Sequence, residues 1–267
     1  MVKKKGSNYS SGVTKSQIDL WFARATFAMQ AEDWEVVIEI CARLLRYLPK
    51  KSADRADALS YMANAYGMLQ KFELAYQALC EALIITPNDS VLWFNRGLTD
   101  RFLTLIGQSV RDLEKAISLL QNPETLPMYK EELLTSEKMA QVEISLRYKG
   151  FTLDQLIEQQ EYFHQGNALM MQRNWLDAEK TFRNAIQMCD CLPNPQGNLG
   201  VCLLMQKRFD EAEAALKRAL KIDKKYKIAK QNLLILEKVK KGAPLPDFKM
   251  NEPFKGKIKV SSTYINE

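Results

Sequence analysis

The feature that most constrains this chain is an internal repeat of 34 residues. Residues 159–192 and 193–226 align without a gap: Gly166 falls on Gly200, Trp175 on Phe209, Ala178 on Ala212, Phe182 on Leu216 and Ala185 on Ala219. The same template fits 56–89, which supplies Ala63, Tyr66, Phe72, Ala75, Leu79, Ala82 and Pro87. It continues in 90–123 with Trp93, Gly97, Ser109, Leu113 and Ala116, and fits 18–51 with Trp21, Ala25, Ala28, Trp34, Leu44 and Pro49. A fixed period of this length is the signature of stacked supersecondary units, each unable to bury its apolar face alone.

Within each unit the apolar residues recur at helical spacing, which predicts two amphipathic helices. Small residues recur where paired helices must cross closely: Ala63, Gly97, Gly166 and Gly200 at one site, Ala75, Ser109, Ala178 and Ala212 at a second, Ala82, Ala116, Ala185 and Ala219 at a third. A larger side chain there would overpack the contact. Pro49 and Pro87 end the second helix, because the residue before proline avoids the α region. The third unit departs from the pattern, with Asp100 where the second unit has Tyr66 and Ile106 where the other four units have an aromatic.

In these residues, and in the stretches Asn64-Ala65-Tyr66, Trp93-Phe94-Asn95-Arg96-Gly97, Gly166-Asn167-Ala168-Leu169 and Asn198-Leu199-Gly200, the chain resembles the tetratricopeptide-repeat family over five units. The resemblance implies an all-α fold, an α-solenoid of helix hairpins. It also implies a non-catalytic scaffold or adaptor that holds a protein or extended peptide on a concave face lined by the first helices. On that face the spacing places Phe22, Thr26, Tyr61, Asn64, Asn95, Leu98, Phe163, His164, Asn167, Asn198 and Val201. The partner-binding candidates are Phe22, Tyr61, Asn64, Asn95, Phe163, His164, Asn167 and Asn198. In the family, asparagines at such places often bond a bound peptide's backbone, a task suited to an amide with donors and an acceptor. The family's clamp for C-terminal carboxylates needs cations where this chain has Phe22, Asp57, Val91 and Gln160, which argues against that ligand.

The repeats are interrupted. Residues 124–158 match no unit. Met128 to Lys149 holds neither Gly nor Pro and reads as one long helix ended by Gly150, after which Thr152-Leu153-Asp154-Gln155 forms a capping box that opens the next. One extra helix reverses the direction of those that follow. The expected organisation is therefore a basic N-terminus (1–14), a first array of three hairpins (15–123), a bracing helix (124–151), a second array of two hairpins and a capping helix (152–241), and an extended basic tail (242–267). Pro244-Leu245-Pro246-Asp247-Phe248 in that tail could pack back on the body.

Chemistry is sparse. His164 is the one histidine, so neither a histidine-based triad nor a histidine metal cluster can be assembled. Cys41, Cys80 and Cys202 fall on helical core positions, and Cys189-Asp190-Cys191 offers too few ligands for zinc. The expectation is no enzyme, no cofactor and no metal. No apolar run approaches the length that spans a bilayer, and Met1-Val2-Lys3-Lys4-Lys5 lacks the apolar stretch of a signal peptide. With no disulfide framework in the cysteine spacing, a cytoplasmic location is expected.

The net charge of +6 conceals a split. Residues 16–220 carry 22 basic and 27 acidic side chains, while 221–267 carry twelve lysines against five acids. The basic ends leave nucleic-acid association as the alternative function, disfavoured because no arginine follows Arg218 and few aromatics are interleaved. The sequence is silent on oligomeric state.

Overall fold

The structure, a computed structural model, describes residues 12–247. They form twelve α-helices, with no strand among the described residues. Ten of the helices pair as five hairpins: α1 (Lys15–Gln30) with α2 (Trp34–Tyr47), α3 (Ala53–Met68) with α4 (Phe72–Ile85), α5 (Ser90–Phe102) with α6 (Ile106–Leu119), α8 (Leu153–Met171) with α9 (Trp175–Met188), and α10 (Pro193–Met205) with α11 (Phe209–Ile222). Between the third and fourth hairpins, a 3-10 turn at Pro123–Thr125 leads into α7 (Leu126–Ser145), and α12 (Lys227–Lys240) follows the fifth. The long helix expected to run to Lys149 ends four residues earlier, and Gly150 sits after it at φ +92°. The chain divides into two compact units, and the division falls inside α7, between Glu137 and Lys138.

In the first unit the small residues do what their spacing predicts. Ala25, Ala63, Ala75, Ala82 and Ala116 are buried, and the Cβ of a residue replacing Gly97 would lie 2.8 Å from Leu113 Cγ. The aromatic that opens a second helix joins neighbouring hairpins: Phe72 stacks on Phe102 of the next hairpin at 4.3 Å. In the second unit Gly166 lies under the Phe182 ring and Gly200 under Leu216, both side chains fully buried. The capping box at Thr152 forms, Gln155 N–H donating to Thr152 Oγ1 (3.2 Å) and Thr152 N–H to Gln155 Oε1 (2.9 Å).

All five hairpin turns share one device that the sequence hid. Glu32, Gln70, Thr104, Arg173 and Lys207, the fifteenth residue of each unit, have φ between 56° and 63°. The following N–H in each case reaches back to the first helix, as from Asp33 to Ala28 O (2.9 Å) and from Leu105 to Asp100 O (2.8 Å). This is the Schellman arrangement, for which glycine is the usual residue. None of the five is glycine, so each turn carries backbone strain, greatest at β-branched Thr104. Thr104 is exposed, and Thr104→Gly should therefore stabilise the chain by about 1 kcal/mol. Urea titration measures this, and a loss of stability would mean that the turn depends on the threonine side chain.

The far end of the second unit is closed. On α12, Ala229, Leu236 and Val239 are buried against the last hairpin, and Lys240 Nζ pairs with Asp210 (2.9 Å) and Glu213 (2.7 Å) on α11. Hydrogen bonds from Lys217 and Lys240, with the charges of both, hold the Glu213 carboxyl down to about 2. The start of the C-terminal tail does pack back: Leu245 lies against the core of this unit and Asp247 accepts from Arg173 at 2.8 Å. The remainder of that tail, and the N-terminal segment up to Ser11, lie outside the described residues.

Candidate functional site

The first helices of successive hairpins touch one another, α1 with α3, α3 with α5, and α8 with α10. No such approach joins the second helices of neighbouring hairpins among the described residues; instead α2 meets α3, α4 meets α5 and α9 meets α10. The side on which neighbours come closest is the inside of a curved stack. In each unit, taken by itself, the first helices therefore line the inner face.

On this face of the first unit the structure brings Phe22, Thr26 and Tyr61 together. The rings of Phe22 and Tyr61 meet edge to face at 6.0 Å, and Thr26 Oγ1 lies 3.4 Å from Tyr61 Oη. Asn64 and Asn95 are half-buried on α3 and α5, and neither side chain has a hydrogen-bond partner among the described residues. At the head of α3 burial pushes the Asp57 carboxyl above its ordinary range, with Asp54 and Asp89 adding to the effect.

In the second unit Asn167 and Asn198, also half-buried, bond each other. Asn198 Nδ2 donates to Asn167 Oδ1 at 2.8 Å, linking α8 to α10. The bond uses one donor group and one acceptor. The amide NH2 of Asn167 and the carbonyl of Asn198 stay uncommitted, one donor and one acceptor side by side. His164 is half-buried one turn earlier on α8.

Two residues placed on this face by spacing turn inward. Phe163 packs on Phe182, ring centroids 5.9 Å apart, at the edge of the core. Val201 is buried, because α12 packs against α10 as well as α11 and draws Val201 into one cluster with Ala229 and Leu236. Leu98 packs against the cluster around Phe94 and Leu113.

The remaining polar groups hold the fold. Arg147, its side chain 1% exposed, donates to Gln159 Oε1 (2.7 Å) and Glu143 Oε2 (3.0 Å), while Gln159 Nε2 donates to the carbonyls of Ala185 and Cys189 (3.1 Å each). This latch ties the chain after α7 to α8 and α9. Neither partner stood out in sequence: Arg147 lies where the repeat pattern breaks, and Gln159 opens the fourth unit at a position where no residue type recurs. Cys189 and Cys191 form a disulfide, against the expectation from the cysteine spacing of no disulfide framework. The loop between α9 and α10 sets the pair up, since Arg218 pins Asp190 through Oδ2 (2.6 Å) and the carbonyl (3.2 Å), and Gln196 holds Oδ1 (2.9 Å). Cys41 and Cys202 are buried thiols pushed up to about 12, chiefly by burial, and so behave as small hydrophobes. Among the described residues no three metal-ligating side chains gather, and no helix is long and apolar enough to cross a membrane.

Residues 162–225 match the family model for the tetratricopeptide repeat. No curated protein matches this chain. Similar solved structures include the Sgt2 TPR domain from Aspergillus fumigatus, at 20% identity and a TM-score of 0.43 over 49% of this chain and 83% of that one. Another is the TPR2AB domain of yeast Sti1 in complex with pHSP90, at 16% identity and 0.41 over 85% and 86%. A third is the TPR domain of P58(IPK), at 13% identity and 0.40 over 85% and 66%.

Proposed function

The chain carries tetratricopeptide repeats, and from that premise we propose that it is a non-catalytic scaffold whose inner face holds an extended peptide segment of a protein partner. The observation that carries this reading is two matching pairs of half-buried asparagines, one pair in each unit, each pair spanning two adjacent first helices. Asn64 and Asn95 are 31 residues apart, as are Asn167 and Asn198. An extended peptide presents a backbone donor and acceptor at intervals, and side-chain amides satisfy both. Phe22 and Tyr61 supply the apolar surface that a peptide side chain would cover. Partners in this reading are proteins in the same aqueous compartment, taken here to be the cytoplasm.

The acids at Asp54, Asp57 and Asp89 bear on the partner. They would repel a carboxylate terminus and favour an internal or cationic segment. The test is selection of a displayed library of random linear peptides against the full chain. Enrichment of peptides is expected. Replacing Asn64, Asn95, Asn167 and Asn198 together by alanine should weaken the selected peptides about tenfold or more, a loss of about 1.4 kcal/mol, while circular dichroism and melting stay near those of the parent. Peptides that bind the quadruple variant undiminished would exclude the asparagine face as the site.

A further inference from the structure

Among the described residues, the first hairpin presents a face that no other hairpin covers. Each hairpin in a stack covers the next, so a terminal hairpin keeps one apolar side open until something caps it. At the other end α12 does this. At the start, Leu20, Phe27 and Ala31 follow one another along α1 at helical spacing, with Leu20 52% and Phe27 72% exposed. Val36 and Ile40 run beside them on α2, and a cleft of about 600 Å³ lies between the two helices.

The charges around this cleft point to its occupant. Arg24 and Arg43 stand against Asp33 and Glu39, two of each sign. Arg43 is set in place over the Trp21 ring at 5.7 Å. A two-fold contact puts the same patch on both sides, so a patch of one sign repels itself while a patch of both signs complements itself. The chain's own ends fit less well. Residues 1–11 hold three lysines and only Met1, Val2 and Tyr9 as large apolar or aromatic side chains. Residues 248–267 carry four lysines against two acids, and a neutral rim offers such a segment no net attraction.

We propose that the α1–α2 face pairs with the same face of a second copy of this chain about a two-fold axis. Phe27 and Val36 then lie against the second copy's apolar stripe, and the arginines against its acids. The contact is a layer of four helices, and it leaves the inner face of the first unit open to a peptide.

Sedimentation equilibrium of the full chain over micromolar concentrations should give twice the chain mass of 30.7 kDa. Phe27→Glu alters an exposed side chain, so its circular dichroism should match the parent, and it should run as a monomer. Arg24→Glu and Glu39→Lys should each be monomeric alone, because each makes the rim mostly one sign. Mixed together they should pair. A parent chain that stays monomeric at the highest concentration overturns the proposal, as does a Phe27→Glu chain that still dimerises. Charge variants that self-associate as the parent does would also overturn it. So would a chain that dimerises only once residues 1–11 or 248–267 are removed, since its own segment would then be covering the face.

Discussion

Gly200→Ala should destabilise the second unit by about 2–3 kcal/mol, and Gly200→Val by more, read as a fall in the urea midpoint. A Cβ at this position would lie 2.6 Å from Leu216 Cγ, 2.7 Å from its Cδ2 and 3.3 Å from the carbonyl oxygen of Ala212. Leu216 is fully buried in the shared core of α10, α11 and α12, so it has no room to withdraw. The backbone carbonyl cannot swing aside at all. The two helices must part, and overpacking of this kind typically costs about 1–3 kcal/mol. Gly67 is the control. It lies inside α3 with nothing within 4 Å of a would-be Cβ, so Gly67→Ala should gain about 0.5–1 kcal/mol by restricting the unfolded chain. Equal effects at the two glycines would mean that helix propensity, and not close crossing, governs the position.

That pair of glycines marks how far the sequence could be read. Gly200 recurs with Gly166, Gly97 and Ala63 at a fixed spacing, so its role in the hairpin crossing was legible. The same spacing located every hairpin, while the Thr-Leu-Asp-Gln pattern at 152–155 marked the capping box and the amphipathic run 227–241 the closing helix α12. What stayed hidden lacks a type signature. Glu32, Gln70, Thr104, Arg173 and Lys207 share a left-handed backbone but no side-chain chemistry, because the turn is imposed by the helices on either side. The Arg147–Gln159 latch joins a residue outside the periodic pattern to the first position of the fourth unit, where no residue type recurs. On the candidate face, spacing identifies the side of a helix but not what lies over it. Hence Val201, at a position equivalent to an open one elsewhere, is buried by α12, and Phe163 leans onto Phe182. The Asn167–Asn198 bond could be anticipated only as two amides on adjacent first helices.

The residue that breaks the repeat pattern in the third hairpin leads to the other large expected effect: Asp100→Asn should stabilise the first unit, by an amount that grows with pH. Asp100 is wholly buried, and neither of its carboxylate oxygens meets a donor; protonated, the acid can itself donate to Asp112. Beside it lies Asp112, also buried but held by Arg96 through Nε (2.5 Å) and Nη2 (2.9 Å) and by Gln108 (2.7 Å). Arg96 in turn rests against Trp93 at 4.6 Å and Tyr76 at 5.9 Å. One guanidinium thus lies beside two acids, and its hydrogen bonds go to Asp112 and the Cys80 sulfur, none to Asp100. Burial pushes the Asp100 carboxyl well above the ordinary carboxylate range, the Asp112 charge pushes it further, and Arg96 opposes them only in part. Glu179 in the second unit shows the opposite balance. Burial there also favours the neutral acid, yet hydrogen bonds from Gln206, Arg183 and Arg208 bring it below its ordinary value.

The sign follows from proton binding. Below about pH 4 Asp100 is protonated in both the folded and unfolded chain, and contributes no slope. Above that the unfolded chain releases its proton while the folded chain keeps it, so stability declines as pH rises towards the folded value. Asparagine carries no titrating proton and can donate to the Asp112 carboxylate. The variant should therefore match the parent near pH 4 and exceed it by about 2 kcal/mol at pH 7–8, within the range for burying an uncompensated polar group. Denaturant titrations at a series of pH values measure both. A gain that is the same at every pH would mean that packing, and not the proton, separates the two side chains, and a loss would mean that the acid has a partner that asparagine cannot satisfy.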